Sequence, residues 1–191
     1  MTNLEEAIVE ITAFLKRNKI PYMLIGGIAN VFWGVPRATI DIDITIKVDD
    51  RGIETFIEKL VAKFKPFPED PVGFVGETRV LPIKTNNGVR VDIIFGQLPY
   101  EDSAIKRAVS KKIGDSEIKV CSPEDLVIHK IISERPKDRE DVRGIIYKQG
   151  SKLDRPYLDP LIKQLAEELL QEDILTFYNE CLSRLGKKDS I

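Results

Sequence analysis

Apolar residues recur along this chain with two periods. From Ile40 to Val48 every second residue is apolar: Ile40, Ile42, Ile44, Ile46 and Val48 share one face, and Asp41, Asp43, Thr45 and Lys47 the other. That alternation predicts a strand with one buried side. Val89, Val91, Ile93 and Phe95 repeat it, with Asp92 on the opposite face. Elsewhere the period is helical. Leu4, Ala7, Ile8, Ile11 and Leu15 predict a helix over 4–18, opened by a Thr2-x-x-Glu5 capping box. Ile53, Phe56, Ile57, Leu60, Val61 and Phe64 predict another, capped by Asp49 or Asp50. Between the first helix and the Asp-bearing strand, residues 22–25 read as a short buried strand. Gly26-Gly27 then reads as a tight turn into a short helix.

Turn and cap residues divide the remainder. Pro66, Pro68 and Pro71 mark a loop, and a strand over 78–84, the turn Asn86-Asn87-Gly88 and the Asp92 strand predict a hairpin. Residues 103–110 read as a short helix, followed by a strand ending near Val120. Ser122-Pro123-Glu124-Asp125 is a helix start, with a Ser cap, Pro in the first turn and acids at the positive end of the helix dipole. From 151 onward the pattern is helical and acidic, with one helix starting at Asp159-Pro160 and another over 172–185. The expected organisation is one α/β (α+β) domain over 1–150, a twisted mixed β-sheet with flanking helices, and a C-terminal helical extension over 151–191 packed on it.

Composition narrows the class. With 191 residues, 42% of them hydrophobic and 31% charged, the chain can bury a core and keep a polar surface. A net charge of −2 supplies no general attraction to nucleic acid or anionic membrane. The N-terminus is acidic and amphipathic, unlike a signal peptide, and no apolar run is long enough to span a membrane. Cys121 and Cys181 lie in no ligand pattern and read as reduced thiols. A cytoplasmic protein is expected.

The carboxylates carry the chemistry. Asp41 and Asp43 lie side by side on one strand face, where like charges repel and Asp is disfavoured. A hard divalent cation with oxygen ligands, Mg²⁺ first and Mn²⁺ as an alternative, would compensate them. If the Asp92 strand pairs alongside, Asp92 completes an acidic cluster suited to two-metal displacement at phosphorus. Gly26 and Gly27 would let the backbone approach a phosphate at a helix N-terminus. No Walker lysine follows them. His129, a lone histidine on a mostly apolar helix, and Trp33 read as structural.

In order and spacing, Gly26-Gly27, Asp41-Ile42-Asp43 and Val91-Asp92-Ile93 resemble the three motifs of the DNA-polymerase-β-like nucleotidyltransferase superfamily. Arg37-Ala38-Thr39 resembles the Arg-x-Thr that often precedes its Asp pair. The similarity extends over roughly 20–145 and points to the small prokaryotic subgroup akin to abortive-infection type IV toxin nucleotidyltransferases. It implies the nucleotidyltransferase fold, with Asp41, Asp43 and Asp92 binding two Mg²⁺ ions and Gly26 and Gly27 at the nucleotide phosphates. It also implies Arg37 and Thr39 at the nucleotide, Lys130 neutralising phosphate charge, and Asp138, of the Lys137-Asp138 pair, near the acceptor hydroxyl or capping a helix. From the residues alone, the favoured reading of Lys130 is a lysine that snorkels to water, and the resemblance reverses that.

The expected reaction moves a nucleoside monophosphate from a nucleoside triphosphate to an acceptor hydroxyl, releasing pyrophosphate. A small molecule, a protein hydroxyl and a tRNA end all remain open as acceptors. The alternative is a catalytically silent nucleotide- or partner-binding module on the same fold, since a fold does not fix an activity.

Overall fold

The protein, seen in a computed structural model, is described over residues 1–133 and 135–185. It forms two compact units: residues 1–28 with 38–121, and residues 29–37 with 122–191, of which the last six lie outside the described residues. This division runs through a helix and falls after Cys121, whereas the pattern of the sequence sets residues 151–191 apart.

The first unit is built on a seven-stranded mixed sheet. Its elements in chain order are α1 (Asn3–Arg17), β1 (Tyr22–Leu24), the start of α2 (Gly26–Trp33), β2 (Asp41–Ile46), α3 (Ile53–Val61), β3 (Lys65–Pro66), α4 (Pro71–Thr78), β4 (Val80–Lys84), β5 (Arg90–Phe95), α5 (Pro99–Arg107), β6 (Val109–Ile113) and β7 (Ser116–Val120). The strand order is β3-β4-β5-β2-β1-β7-β6. β2 runs parallel to β5 and antiparallel to β1, and β4 and β5 form an antiparallel hairpin. Its turn needs Gly88, at φ +89°. Both sheet edges resist further pairing: β3 is two residues long and contains Pro66, and β6 carries Lys111 and Lys112.

The alternation in β2 and β5 does what it predicts. Ile42, Ile44, Ile46, Val91 and Ile93 are fully buried, and Phe95 nearly so. Phe95 meets Phe56 of α3 at 6.0 Å between ring centroids, and Phe56 meets Phe14 of α1 at 6.2 Å. Helices α1 and α3 therefore cover the apolar face, and the acidic residues occupy the other. The Thr2–Glu5 capping box is formed at α1.

Several boundaries differ from the sequence reading. Ile40 is 85% exposed because β2 begins only at Asp41, after an irregular run. The proline-rich loop contains edge strand β3 and helix α4, whose start combines an Asp70 cap with Pro71. Its prolines are thus partly a helix-start signal. Asp49 makes no side-chain cap; a 3₁₀ turn at Asp50–Gly52 leads into α3. The short helix is α5, four residues earlier than expected, and Ser110 lies in β6, because Ala108 leaves the helix in extended geometry.

The second unit contains residues 29–37, α6 (Pro123–Ile131), α7 (Pro136–Gln149), α8 (Arg155–Glu168) and α9 (Glu172–Ser183). Leu126, Val127, Val142, Ile145, Leu158 and Ile162 are its fully buried centre. The Ser122 side chain caps α6 by accepting from the Asp125 N–H at 3.1 Å. Helix α8 starts at Arg155, with Asp154 as cap, and Pro160 lies inside it. Asp159 instead accepts from Arg155 at 2.6 Å and from the Tyr178 hydroxyl at 2.6 Å.

Replacing Ile44 with Ala, at the centre of the β2–β5 pairing, should cost about 2–5 kcal/mol through lost burial and a residual cavity. A urea midpoint unchanged from wild type would show that this face is not the core.

Candidate active site

The parallel register of β2 on β5 sets Asp43 opposite Asp92 and Asp41 opposite Arg90, all on the face away from α1 and α3. All three acids are half-buried. Asp43 lies against the first residue of α2: a Cβ on Gly26 would stand 2.0 Å from Asp43 Oδ2. Gly26 also has φ +63°, which disfavours any side chain. The helix begins at Gly26 itself, earlier than the sequence implies, so its positive end abuts the Asp43 carboxylate. Gly27 is packed just as closely. A Cβ there would come within 2.5 Å of Thr39 Oγ1.

Thr39 leads into β2, and its hydroxyl donates to Asp41 Oδ1 at 3.1 Å. Arg90, which the sequence pattern did not single out, donates from Nε to Asp92 Oδ1 at 2.9 Å. The hydrogen bond and charge of Asp92, followed by the charges of Asp41 and Asp43, hold the Arg90 guanidinium above its ordinary range. With Asp41 turned to Thr39 and Asp92 to Arg90, no group of three His, Cys, Asp or Glu side chains among the described residues is arranged to hold a metal ion as it stands. The donor chemistry nonetheless fits a hard divalent cation: three carboxylates and a hydroxyl, all oxygen, on one face. A basic cleft of about 680 Å³, lined by Lys19, Lys47, Arg51 and Lys59 among others, follows the far end of β2 and is no part of this acidic face.

The second unit gathers the remaining candidates. Lys130, only 5% exposed, donates to Asp138 Oδ1 at 2.9 Å and to Asp141 Oδ2 at 2.7 Å. Arg37 binds Asp141 through Nε and Nη2, at 2.9 and 2.8 Å, and Asn30 donates to the same carboxylate at 3.2 Å. Ser133 and Arg135 complete the shell of Asp138, at 2.7 and 2.6 Å. Lys130 therefore does not snorkel to water. Asp138 lies in the first turn of α7, where Arg135 is the N-cap residue, so it caps no helix. Asp141, three residues on, is the member that sequence reasoning missed; the i, i+3 spacing with Asp138 on one helix face was the available signal.

Burial pushes both carboxyls up, but this is outweighed. Lys130, Ser133 and Arg135 hold Asp138 below its ordinary value, and Arg37 and Lys130 do the same for Asp141.

In fold the chain is similar to solved nucleotidyltransferases. An antigenic nucleotidyltransferase-like protein from Paracoccidioides brasiliensis superposes with a TM-score of 0.54 at 18% identity, covering 93% of this chain and 92% of that one. The antibiotic-resistance factor ANT(2'')-Ia, in complex with adenylyl-2''-tobramycin, gives 0.54 at 17% identity, covering 96% and 99%. The lincosamide antibiotic adenylyltransferase LnuA, lincomycin-bound, gives 0.51 at 17%, covering 74% and 95%. The family model for the nucleotidyl transferase AbiEii toxin of type IV toxin–antitoxin systems matches residues 13–146, and the chain belongs to that family. No curated protein matches it in sequence.

Two outcomes are expected from this geometry. Gly27→Val should displace Thr39 and lower stability measurably, because the packing leaves no room for a side chain; an unchanged melting temperature would contradict the close approach. Lys130→Met should lower stability by less than the ~3–5 kcal/mol of a fully unpaired buried charge, because Arg37 stays on Asp141 and Arg135 on Asp138. Because the folded-state values of Asp138 and Asp141 are depressed, their stabilisation is present above about pH 4 and lost as pH falls through those values. In Lys130→Met the loss of this cation, with Arg37 and Arg135 still in place, should raise them part of the way and move the acid-unfolding limb to higher pH. Parallel melting-temperature-versus-pH curves for the two proteins would contradict this.

Proposed function

We propose that this nucleotidyltransferase-family chain moves a nucleoside monophosphate from a nucleoside triphosphate to an acceptor hydroxyl, with pyrophosphate as the other product. The observation that carries the reading is the β2–β5 register, which brings Asp41, Asp43 and Asp92 onto one face beside the start of α2. The family match over 13–146 includes all of these residues.

Asp41, Asp43 and Asp92 would hold Mg²⁺, or Mn²⁺ in its place, in a two-ion site. When bound, such ions supply charge neutralisation at phosphorus and lower the pKa of the attacking hydroxyl. The chain's own residues prepare this. Gly26 and Gly27, lacking side chains, let Asp43 and Thr39 close on the start of α2, whose N–H groups would face phosphate oxygens beside them. Thr39 holds Asp41 by its hydroxyl, fixing one donor before the nucleotide arrives. Asp92, opposite Asp43 on the neighbouring strand, would complete the site for the acceptor oxygen.

Arg37, Lys130 and Asp138 enter the proposal differently from the family expectation. Their charges are satisfied within a buried cluster, so we assign Lys130 and Asp138 to fixing α6 against α7. Arg37 we assign to anchoring the segment that leads to Thr39. Nucleotidyl transfer to a small hydroxylated molecule is the acceptor class that the two antibiotic-modifying fold relatives suggest, with protein and tRNA acceptors as the other outcomes of the assay.

The test is incubation with each α-labelled nucleoside triphosphate, Mg²⁺ and extract from the source organism, reading label transfer and pyrophosphate release. Asp41→Asn and Asp43→Asn should each reduce both at least a hundredfold while remaining folded. Neither should be less stable than wild type without metal, since each substitution removes like-charge repulsion. Wild type inert with all four triphosphates would favour the silent binding module. Undiminished turnover in Asp41→Asn would place the chemistry on other residues.

A further inference from the structure

Three carboxylates on one sheet face carry a local charge that something must balance when no divalent ion is bound. Arg90 meets this need. It is the strand partner of Asp41, its Nε holds Asp92 at 2.9 Å, and its guanidinium carbon lies 5.3 Å from the centre of the Phe67 ring. Phe67 is itself fixed, because its N–H donates at 3.0 Å to the carbonyl of Pro82, the residue paired with Asp92 on β4. The main chain of Phe67 is thus anchored beside β4, and its ring, 53% exposed, lies within cation–π range of the guanidinium. The bond is asymmetric: the Arg90 side chain is 52% exposed and Asp92 20%. The arginine can leave by rotating into water, whereas Asp92 is fixed by the sheet.

We propose that Arg90, beside Phe67, is a resident counter-ion of the acidic face and a positioning residue for Asp92, and that a divalent cation competes with it for that carboxylate. The inference rests on the reading of the acidic face as a metal site. Release of Asp92 exchanges one hydrogen bond for metal ligation, and no covalent bond changes. Metal affinity in the absence of nucleotide is therefore held below what three carboxylates would otherwise provide. Stray ion binding by the idle protein is weakened in proportion.

Mn²⁺ titration of the nucleotide-free protein, followed by electron paramagnetic resonance and calorimetry, tests this directly. Arg90→Gln should bind Mn²⁺ roughly three- to tenfold more tightly than wild type, in keeping with the loss of a half-exposed ion pair and its charge. Its melting temperature in chelator should fall. Phe67→Ala should shift affinity in the same direction by a smaller factor, about two- to threefold, and keeps the test available if Arg90→Gln folds poorly. Arg90→Lys, which retains the charge, should stay closer to wild type than Arg90→Gln. Unchanged or weaker Mn²⁺ binding in Arg90→Gln, with Asp43→Asn abolishing binding, would overturn the counter-ion role while leaving the metal site standing. Binding unaffected by Asp43→Asn, or absent from wild type and Arg90→Gln alike, would overturn both.

Discussion

Repulsion between carboxylates on hydrogen-bonded strands is the constraint around which the first unit is arranged. At the roughly 5 Å separation of directly paired side chains, two like charges cost about 3 kcal/mol at an effective dielectric near 20. Asp43 and Asp92 face each other in this way. What enforces the pairing lies on the other side of the same strands. Ile42, Ile44, Ile46, Val91, Ile93 and Phe95 are buried under α1 and α3, each worth about 1.5–3 kcal/mol. A one-residue slip of either strand would turn its three to solvent. The apolar face wins by a wide margin, so the acids stay together and the local structure must accommodate them. Gly26 and Gly27 give them room, Thr39 holds one, and Arg90 balances another.

The second unit manages charge by the opposite means. Lys130, Asp138 and Asp141 are withdrawn from water, and each is satisfied by several partners. Breaking such a cluster is costly because the survivors are stranded, even where its net contribution to stability is small. Arg37 belongs to it through the bidentate grip on Asp141 that only a guanidinium provides. Their charges are met inside the cluster, and the acidic face carries the proposed chemistry.

Much of the fold was legible because period and burial agree. The alternation around Asp41–Ile46 and Arg90–Phe95, the capping box at Thr2 and the Ser122-Pro123 helix start all correspond to observed elements. Errors came where one residue type carries two meanings. Prolines were read as loop at 66–71 and as a helix start at Pro160, whereas the first stretch holds β3 and the start of α4, and Pro160 sits inside α8. Within the site, the sequence placed Asp41, Asp43 and Asp92 on strand faces, because alternation fixes direction. It could not reveal Arg90 as the partner of Asp41, nor Asp141 as the hub binding Arg37 and Lys130. The first pairing depends on strand register, and the Arg37–Asp141 contact joins residues 104 positions apart, which no local pattern encodes; Lys130 lies only 11 positions before Asp141.

The most direct measurement is a crystal structure with Mn²⁺ and a non-hydrolysable nucleoside triphosphate, read by its anomalous signal. The account predicts manganese bound by Asp41 and Asp43, triphosphate oxygens at the start of α2, and Arg90 turned away from Asp92. Manganese absent from the acidic face, with the nucleotide bound elsewhere on the chain, would contradict it.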